Sequence, residues 1–255
     1  MDDTILGFYN QFAPYYHLIF EDWEKSIERQ GAVSNALFET ELGAGPFKIL
    51  DCSCGIGTQS IGFARHGHRV VCSDLSPAAV GRSQREFASR GLVGSFVVSD
   101  MTSLAEVRER DFHVVASMDN ALPHLSAKEL RDAVRAMHSK LRPGGLFLAS
   151  IRDYDAMIRE RPAVQGPSFF GAERNRRIVL QVWDWVEEAR YILHVFITVQ
   201  QDGRWDTHHF VSTYRCLQRE ELSEALASQG FQDVRWIMPG ESGHYIPVVV
   251  ARKLP

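Results

Sequence analysis

Ile49-Leu50-Asp51-Cys52-Ser53-Cys54-Gly55-Ile56-Gly57-Thr58 is the stretch that decides the fold. An apolar strand over 47–50 runs into two glycines, and a helical stretch to about His66 follows. Neither Gly55 nor Gly57 has a Cβ, so a ligand can approach that backbone closely, and the N–H groups of the helix start face it. Such a unit opens a sheet whose ligands sit beyond the carboxyl ends of its strands.

Working outward, the alternation repeats. Residues 69–73 read as a second strand, and Ser76-Pro77 supplies an N-cap and first-turn proline for the helix after it. Residues 95–99 and 112–117 are the third and fourth strands. Leu130, Ala133, Val134, Met137 and Leu141 then recur at helical spacing. Pro143-Gly144-Gly145 is expected to end that helix before a fifth strand over 146–151. The pattern predicts an α/β chain built on a doubly wound, mostly parallel sheet with helices on both faces. After Arg152 the period changes. Residues 178–183, 191–199 and 205–214 read as longer strands joined by hairpins, an antiparallel β insertion. A helix over 219–229 and strands over 231–237 and 246–251 resume the core. Upstream, 21–42 is helical, with Trp23, Ile27, Val33 and Leu37 as apolar markers and Gly43-Ala44-Gly45-Pro46 as the stop. The expected organisation is a helical cap over 1–42, an α/β core over 43–154, a β insertion or substrate lid over 155–216, and the remainder of the core over 217–255.

Of the 255 residues, 45% are hydrophobic and 24% charged, which excludes collagen-like, disordered and coiled-coil classes. The 28 basic against 32 acidic residues give a net charge of −4. Without a basic block, neither nucleic acid nor a membrane is expected as a partner, and a small molecule is. Met1-Asp2-Asp3 is acidic where a secretory signal is basic, and no apolar window approaches a spanning helix, so a cytoplasmic protein is expected. A homo-oligomer stays open. Cys52, Cys54 and Cys72 lie in apolar strand-like runs and read as reduced core thiols, and no second Cys or His pair follows the C-x-C at zinc spacing, so no metal is expected.

Successive strand ends carry polar residues. Asp74 ends the second strand, where a carboxylate can accept both ribose hydroxyls. Asp100-Met101 ends the third, an acceptor and an apolar side chain suited to an adenine. Together they point to a nucleoside across the sheet edge. A dinucleotide fingerprint needs a third glycine, and Ser60 fills that slot. Asp51 also places negative charge where a pyrophosphate would lie. A cationic, phosphate-free nucleoside fits better, and S-adenosylmethionine is such a ligand.

ILDCSCGIGT, Asp74 after VVCS, VVSD ending in Asp100, and LRPGGLFLAS resemble, over about residues 47–152, the class I S-adenosylmethionine-dependent methyltransferases. Met118-Asp119-Asn120-Ala121-Leu122-Pro123-His124-Leu125 and Ile151-Arg152-Asp153-Tyr154-Asp155 are similar to the glycine (sarcosine) N-methyltransferase branch, with Asp119 replacing a glycine and Asp153 an asparagine. The resemblance implies a seven-stranded, Rossmann-like sheet with an antiparallel lid. It implies N-methylation of an amino acid or related amine, with Asn120 and Arg152 on the acceptor's carboxylate.

The expected cofactor contacts are Asp51, Cys54, Gly55, Gly57, Asp74, Leu75, Asp100, Met101 and Asp119, with Trp23 and Arg29 from the N-terminal segment. Asp119 either binds the cofactor's α-ammonium or favours a cationic acceptor. The expected acceptor contacts are Asn120, His124, Arg152, Tyr154, Tyr16 and Tyr214, with Trp183 and Trp185 as further candidate walls. Arg152 suits a clamp because its planar fork gives two parallel charge-assisted hydrogen bonds. His124 is a candidate base or positioning group, since imidazole titrates near neutrality, and Asn120 and Tyr16 complete the catalytic candidates. Tyr9, Tyr15, Tyr16 and Trp23 could fold over the cofactor and present ring faces to its sulfonium. The alternatives are a small-molecule O-methyltransferase, a non-catalytic S-adenosylmethionine sensor and an NAD-dependent oxidoreductase.

Overall fold

The structure is a computed structural model and describes residues 3–254. The N-terminal segment forms α1 (Asp3–Phe12), a short 3-10 turn (Tyr16–Ile19) and α2 (Trp23–Leu42). Asp22 caps α2 by accepting from the Lys25 N–H. There follow β1 (Lys48–Asp51), α3 (Thr58–Arg65), β2 (Arg69–Asp74), α4 (Pro77–Ser89), β3 (Ser95–Val98) and β4 (Phe112–Ser117). Ser76 caps α4 through the Ala79 N–H, with Pro77 in the first turn. Then come α5 (Ala127–Lys140), β5 (Leu141–Ser150) and α6 (Tyr154–Glu160). A complete Ser126–Glu129 capping box starts α5.

Four long strands follow: β6 (Val164–Phe170), β7 (Arg177–Glu187), β8 (Arg190–Gln201) and β9 (Arg204–Arg215). The chain closes through α7 (Arg219–Ser228), β10 (Phe231–Ile237) and β11 (Val248–Lys253).

The core sheet has seven strands in the order β10-β11-β5-β4-β1-β2-β3. All pairs are parallel except those made by β11. Strand order reverses between β1 and β4, which pair through Ile49–Val114, Leu50–Val115 and Asp51–Ala116. Loops diverge at such a reversal and leave a crevice at the carboxyl edge. Alternate residues face opposite layers. Ile49, Val70, Val114 and Leu148 pack with Ile27, Phe38 and Phe63 of α2 and α3. Leu50, Val71, Val115 and Phe147 pack with α5, α7 and the lid. The doubly wound fold expected from the sequence is the one observed.

The second sheet, β6-β7-β8-β9, is antiparallel. Tyr191, Leu193, Val195 and Ile197 of β8 alternate into the core, where Phe210 of β9 meets Phe12 of α1 at 5.0 Å between ring centroids. The N-terminal helix is therefore clamped between the lid and the sheet edge.

Two elements differ from the sequence reading. Pro143-Gly144-Gly145 does not separate α5 from the next strand. It bends β5, which already pairs at Leu141 with Phe112 before a register shift. Strand β6 contains Gly166-Pro167, which reads as a break in sequence; it is an edge strand with an irregularity between Gln165 and Ser168, where proline is tolerated. Helix α1 falls within the helical cap expected over 1–42, but its bounds do not follow from sequence, because its apolar face is completed by β9 and α4.

Candidate active site

The turn after β1 is tied down on every side. The Gly55 N–H donates to Asp74 Oδ2 at 2.9 Å, and the Ser76 N–H donates to Asp74 Oδ1 at 2.9 Å. Gly55 adopts φ +52° and leaves its ligand side open except for the Tyr16 ring, 3.6 Å from where a Cβ would be. Gly57, at φ +98°, is different: a Cβ there would lie 2.8 Å from Ser83 Oγ of α4. Gly57 thus serves helix packing and lines neither cavity described below.

Asp51 is buried. Ser60, which occupies the third-glycine slot, donates its hydroxyl to Asp51 Oδ2 at 2.6 Å. Burial pushes the Asp51 carboxyl up to about 7, with the Ser60 and Ser53 hydrogen bonds opposing. Asp51 braces the turn from behind and does not face a cavity.

Above the turn lies a narrow cavity. Its sheet-side wall includes Cys54, Gly55, Asp74, Leu75 and Met101, the expected strand-end set. Asp100 is set back: its carboxylate accepts the Thr102 N–H at 2.8 Å, and only its neighbour Met101 reaches the wall. Trp23 is also outside, with its indole N–H on Thr58 Oγ1 at 2.9 Å and its ring under the Arg90 guanidinium. Among the described residues, no Lys or Arg side chain lines this cavity.

A second cavity, about 500 Å³, opens between the N-terminal segment, the sheet edge and the inner face of the lid. Tyr9, Tyr16 and Asp119 line both cavities. They form the seam between them. Arg29, expected against the cofactor, lines the second cavity instead.

The floor of the seam is the turn after β4. Asp119 and Asn120 both adopt left-handed φ, +61° and +66°. Such strain costs non-glycine residues on the order of 1–2 kcal/mol each. It is held by the Asp119 N–H on Ser150 Oγ at 2.8 Å and the Asn120 N–H on the Ser150 carbonyl at 3.0 Å. Asn120 Oδ1 accepts the Arg152 N–H at 3.0 Å, and its amide donates to the Tyr154 hydroxyl at 2.9 Å. Tyr154 is fully buried and meets the Tyr191 hydroxyl at 3.2 Å. It supports Asn120 from behind and does not line the acceptor cavity as expected.

Arg152 does. One of its nitrogens donates to Gln181 Oε1 of β7 at 3.0 Å, its plane lies 4.9 Å from the Trp183 ring centre, and Nη1 is buried without a hydrogen-bond partner among the described residues. Gln181 was not singled out in the sequence. Its signal was a polar residue at an inward position between Val179 and Trp183. Tyr214 is a wall as expected, stacked on Tyr191 at 5.6 Å, whereas Trp185 packs on Tyr191 and Arg161 away from the cavity.

His124 lines the first cavity and not the second. Its Nε2 is 2.8 Å from the Tyr9 hydroxyl and its ring lies against Tyr214 at 4.1 Å. Burial lowers its pKa to about 4. Tyr16 donates to Asp119 Oδ2 at 2.8 Å. Among the described residues no group of three or more His, Cys, Asp or Glu is placed to hold a metal ion, and no helix is long and apolar enough to cross a membrane.

Residues 49–145 match the protein family described as a methyltransferase domain. The match runs from β1 into β5, the part of the sheet whose strand ends line the first cavity. The ribosomal RNA small subunit methyltransferase C of Alcanivorax borkumensis is 32% identical over 155 residues, 59% of this chain and 46% of that protein. The glycine N-methyltransferase of Mus musculus is 28% identical over 172 residues, 62% of this chain and 58% of that protein. The chain thus matches about half the length of these relatives. Among solved structures, the S-adenosylmethionine-bound amino pentose methyltransferase CalS10 of Micromonospora echinaspora superposes with a TM-score of 0.73 at 19% identity, over 89% of this chain and 92% of that one. This likeness shows the fold, lid included.

Proposed function

We propose that this chain transfers the methyl group of S-adenosylmethionine to the nitrogen of a small-molecule amine that carries an anionic group. The observation that carries the reading is the seam, where two cavities of different chemistry share Tyr9, Tyr16 and Asp119. The first cavity suits a cationic adenosine conjugate. Asp74 offers a carboxylate to a ribose, Gly55 presents bare backbone, and among the described residues no basic side chain awaits a pyrophosphate. Bound there, the sulfonium supplies an electrophilic methyl group and leaves as a neutral thioether.

The second cavity suits the acceptor. Arg152 brings an unpartnered buried N–H, which favours a carboxylate or similar anion, and aromatic walls favour an apolar body. The glycine N-methyltransferase relative supports an amino-acid type of acceptor, and the amino pentose methyltransferase supports a bulkier amine. A cavity of about 500 Å³ is much more than glycine or sarcosine fills, so the bulkier amine is favoured. The net charge of −4 speaks against an RNA acceptor despite the relative that bears RNA in its name.

Two measurements test this. Calorimetry should give micromolar binding of S-adenosylmethionine and none of NAD. A labelled-methyl assay against glycine, sarcosine, phenylalanine, glucosamine, a phenol, a thiol and ribosomal RNA should then label an amine. NAD binding in place of the sulfonium, or label only on phenol, thiol or RNA, rejects the proposal.

A further inference from the structure

An alkyl amine reaches an enzyme at neutral pH as its ammonium ion, and its lone pair is free only after a proton has left. His124 is badly placed to receive it: it lines the donor cavity alone, is engaged by Tyr9, and is held neutral by burial. Among the described residues, Asp119 is the only carboxylate that lines both cavities. Its left-handed backbone and the Ser150 hydroxyl on its N–H hold it at the seam, while the Tyr16 hydroxyl takes Oδ2 and leaves Oδ1 without a hydrogen bond to another side chain among the described residues.

We propose that Asp119 is the catalytic proton acceptor for the amine, with Tyr16 as its positioning residue. This inference rests on the amine reading above. The ammonium gives one N–H proton to the Asp119 carboxylate. The freed lone pair attacks the sulfonium methyl carbon, forming C–N as the methyl C–S bond breaks and its electron pair passes to sulfur. The product leaves as the N-methylated ammonium, and Asp119 returns its proton to solvent.

The charges facing Asp119 suit this cycle. Burial raises its pKa, and the Tyr16 hydrogen bond, His244 and Arg152 pull it back. Tyr9 from α1, Tyr214 from β9 and Asp51 behind the turn complete its titratable surroundings. A carboxylate so raised is closer in basicity to an amine than an exposed one, which eases the transfer.

The test compares wild type, Asp119→Asn and Tyr16→Phe, with phenylalanine and glucosamine as acceptors and calorimetry of S-adenosylhomocysteine as the second readout. Asp119→Asn should lower kcat/KM at pH 7 by about 10²–10⁴-fold, the span of a lost general base. The deficit should shrink toward pH 9 as free amine accumulates, with S-adenosylhomocysteine affinity changed by less than about threefold. Tyr16→Phe removes a hydrogen bond that favours the carboxylate, so it should move the acid limb of the pH profile upward. More than about tenfold weaker S-adenosylhomocysteine binding by Asp119→Asn, with the pH profile unchanged, would make Asp119 a cofactor ligand and overturn the inference. So would unchanged turnover in that variant while wild type methylates an amine, or an unmoved acid limb in Tyr16→Phe. If wild type methylates no amine, the proposed function itself fails, and this step with it.

Discussion

The Tyr9 hydroxyl and His124 Nε2 lie 2.8 Å apart, a contact that joins the N-terminal helix to the turn after β4 across the donor cavity. Since burial takes His124 to about 4, the imidazole is neutral in the working range and acts as a fixed strut. His124→Gln should therefore reduce kcat by less than about tenfold, whereas a lost general base costs 10²–10⁴-fold. Steady-state turnover at neutral pH checks this.

Arg152→Ala should raise the KM for a carboxylate-bearing amine by about 10–100-fold, the order of a lost charge-assisted hydrogen bond. Affinity for S-adenosylmethionine should barely change, because Arg152 lines only the acceptor cavity. An equal loss for both ligands, by kinetics and calorimetry, removes Arg152 from the acceptor.

Much of the core was legible because its signals are local. Strand ends at Asp51 and Asp74 follow from apolar runs of fixed length, and the Ser76-Pro77 helix start from capping chemistry. The roles assigned to Gly57, Asp51, Asp100 and Trp23 were not legible. Three of them need a contact distant in sequence to reveal them: Ser83 against Gly57, Ser60 on Asp51, Thr58 under Trp23. Asp100 is turned aside by its own Asx-type turn to Thr102, which sequence permits but does not demand. The acceptor cavity was the least legible part, since its walls come from α1, the sheet edge and β7–β9 together.

Gly62 of α3 and Gly31 of α2 let those helices touch backbone to backbone, with a Cβ on Gly62 falling 2.7 Å from Gly31 Cα. Gly62→Ala gains about 1 kcal/mol of helix propensity and forces the helices apart, an overpacking cost of about 1–3 kcal/mol. Net destabilisation is expected as a lower denaturant midpoint; a raised midpoint would show that the crossing yields without cost.

The buried Asp51 carboxyl titrates at about 7, above its ordinary 3.8. The folded state thus binds a proton that the unfolded chain has released, so stability falls as pH rises through that window. Unfolding free energies of the ligand-free protein from denaturant titrations at about pH 5 and pH 8 should differ more in wild type than in Asp51→Asn, by on the order of a few kcal/mol. Identical pH slopes would mean that Asp51 is not the buried titrating group.

A crystal structure with S-adenosylhomocysteine is the most direct measure. The account predicts the ribose on Asp74, the adenine beside Met101, and the thioether sulfur at the seam of Tyr9, Tyr16 and Asp119, facing the lid cavity. Nucleoside density elsewhere, or a sulfur turned away from that seam, would contradict it.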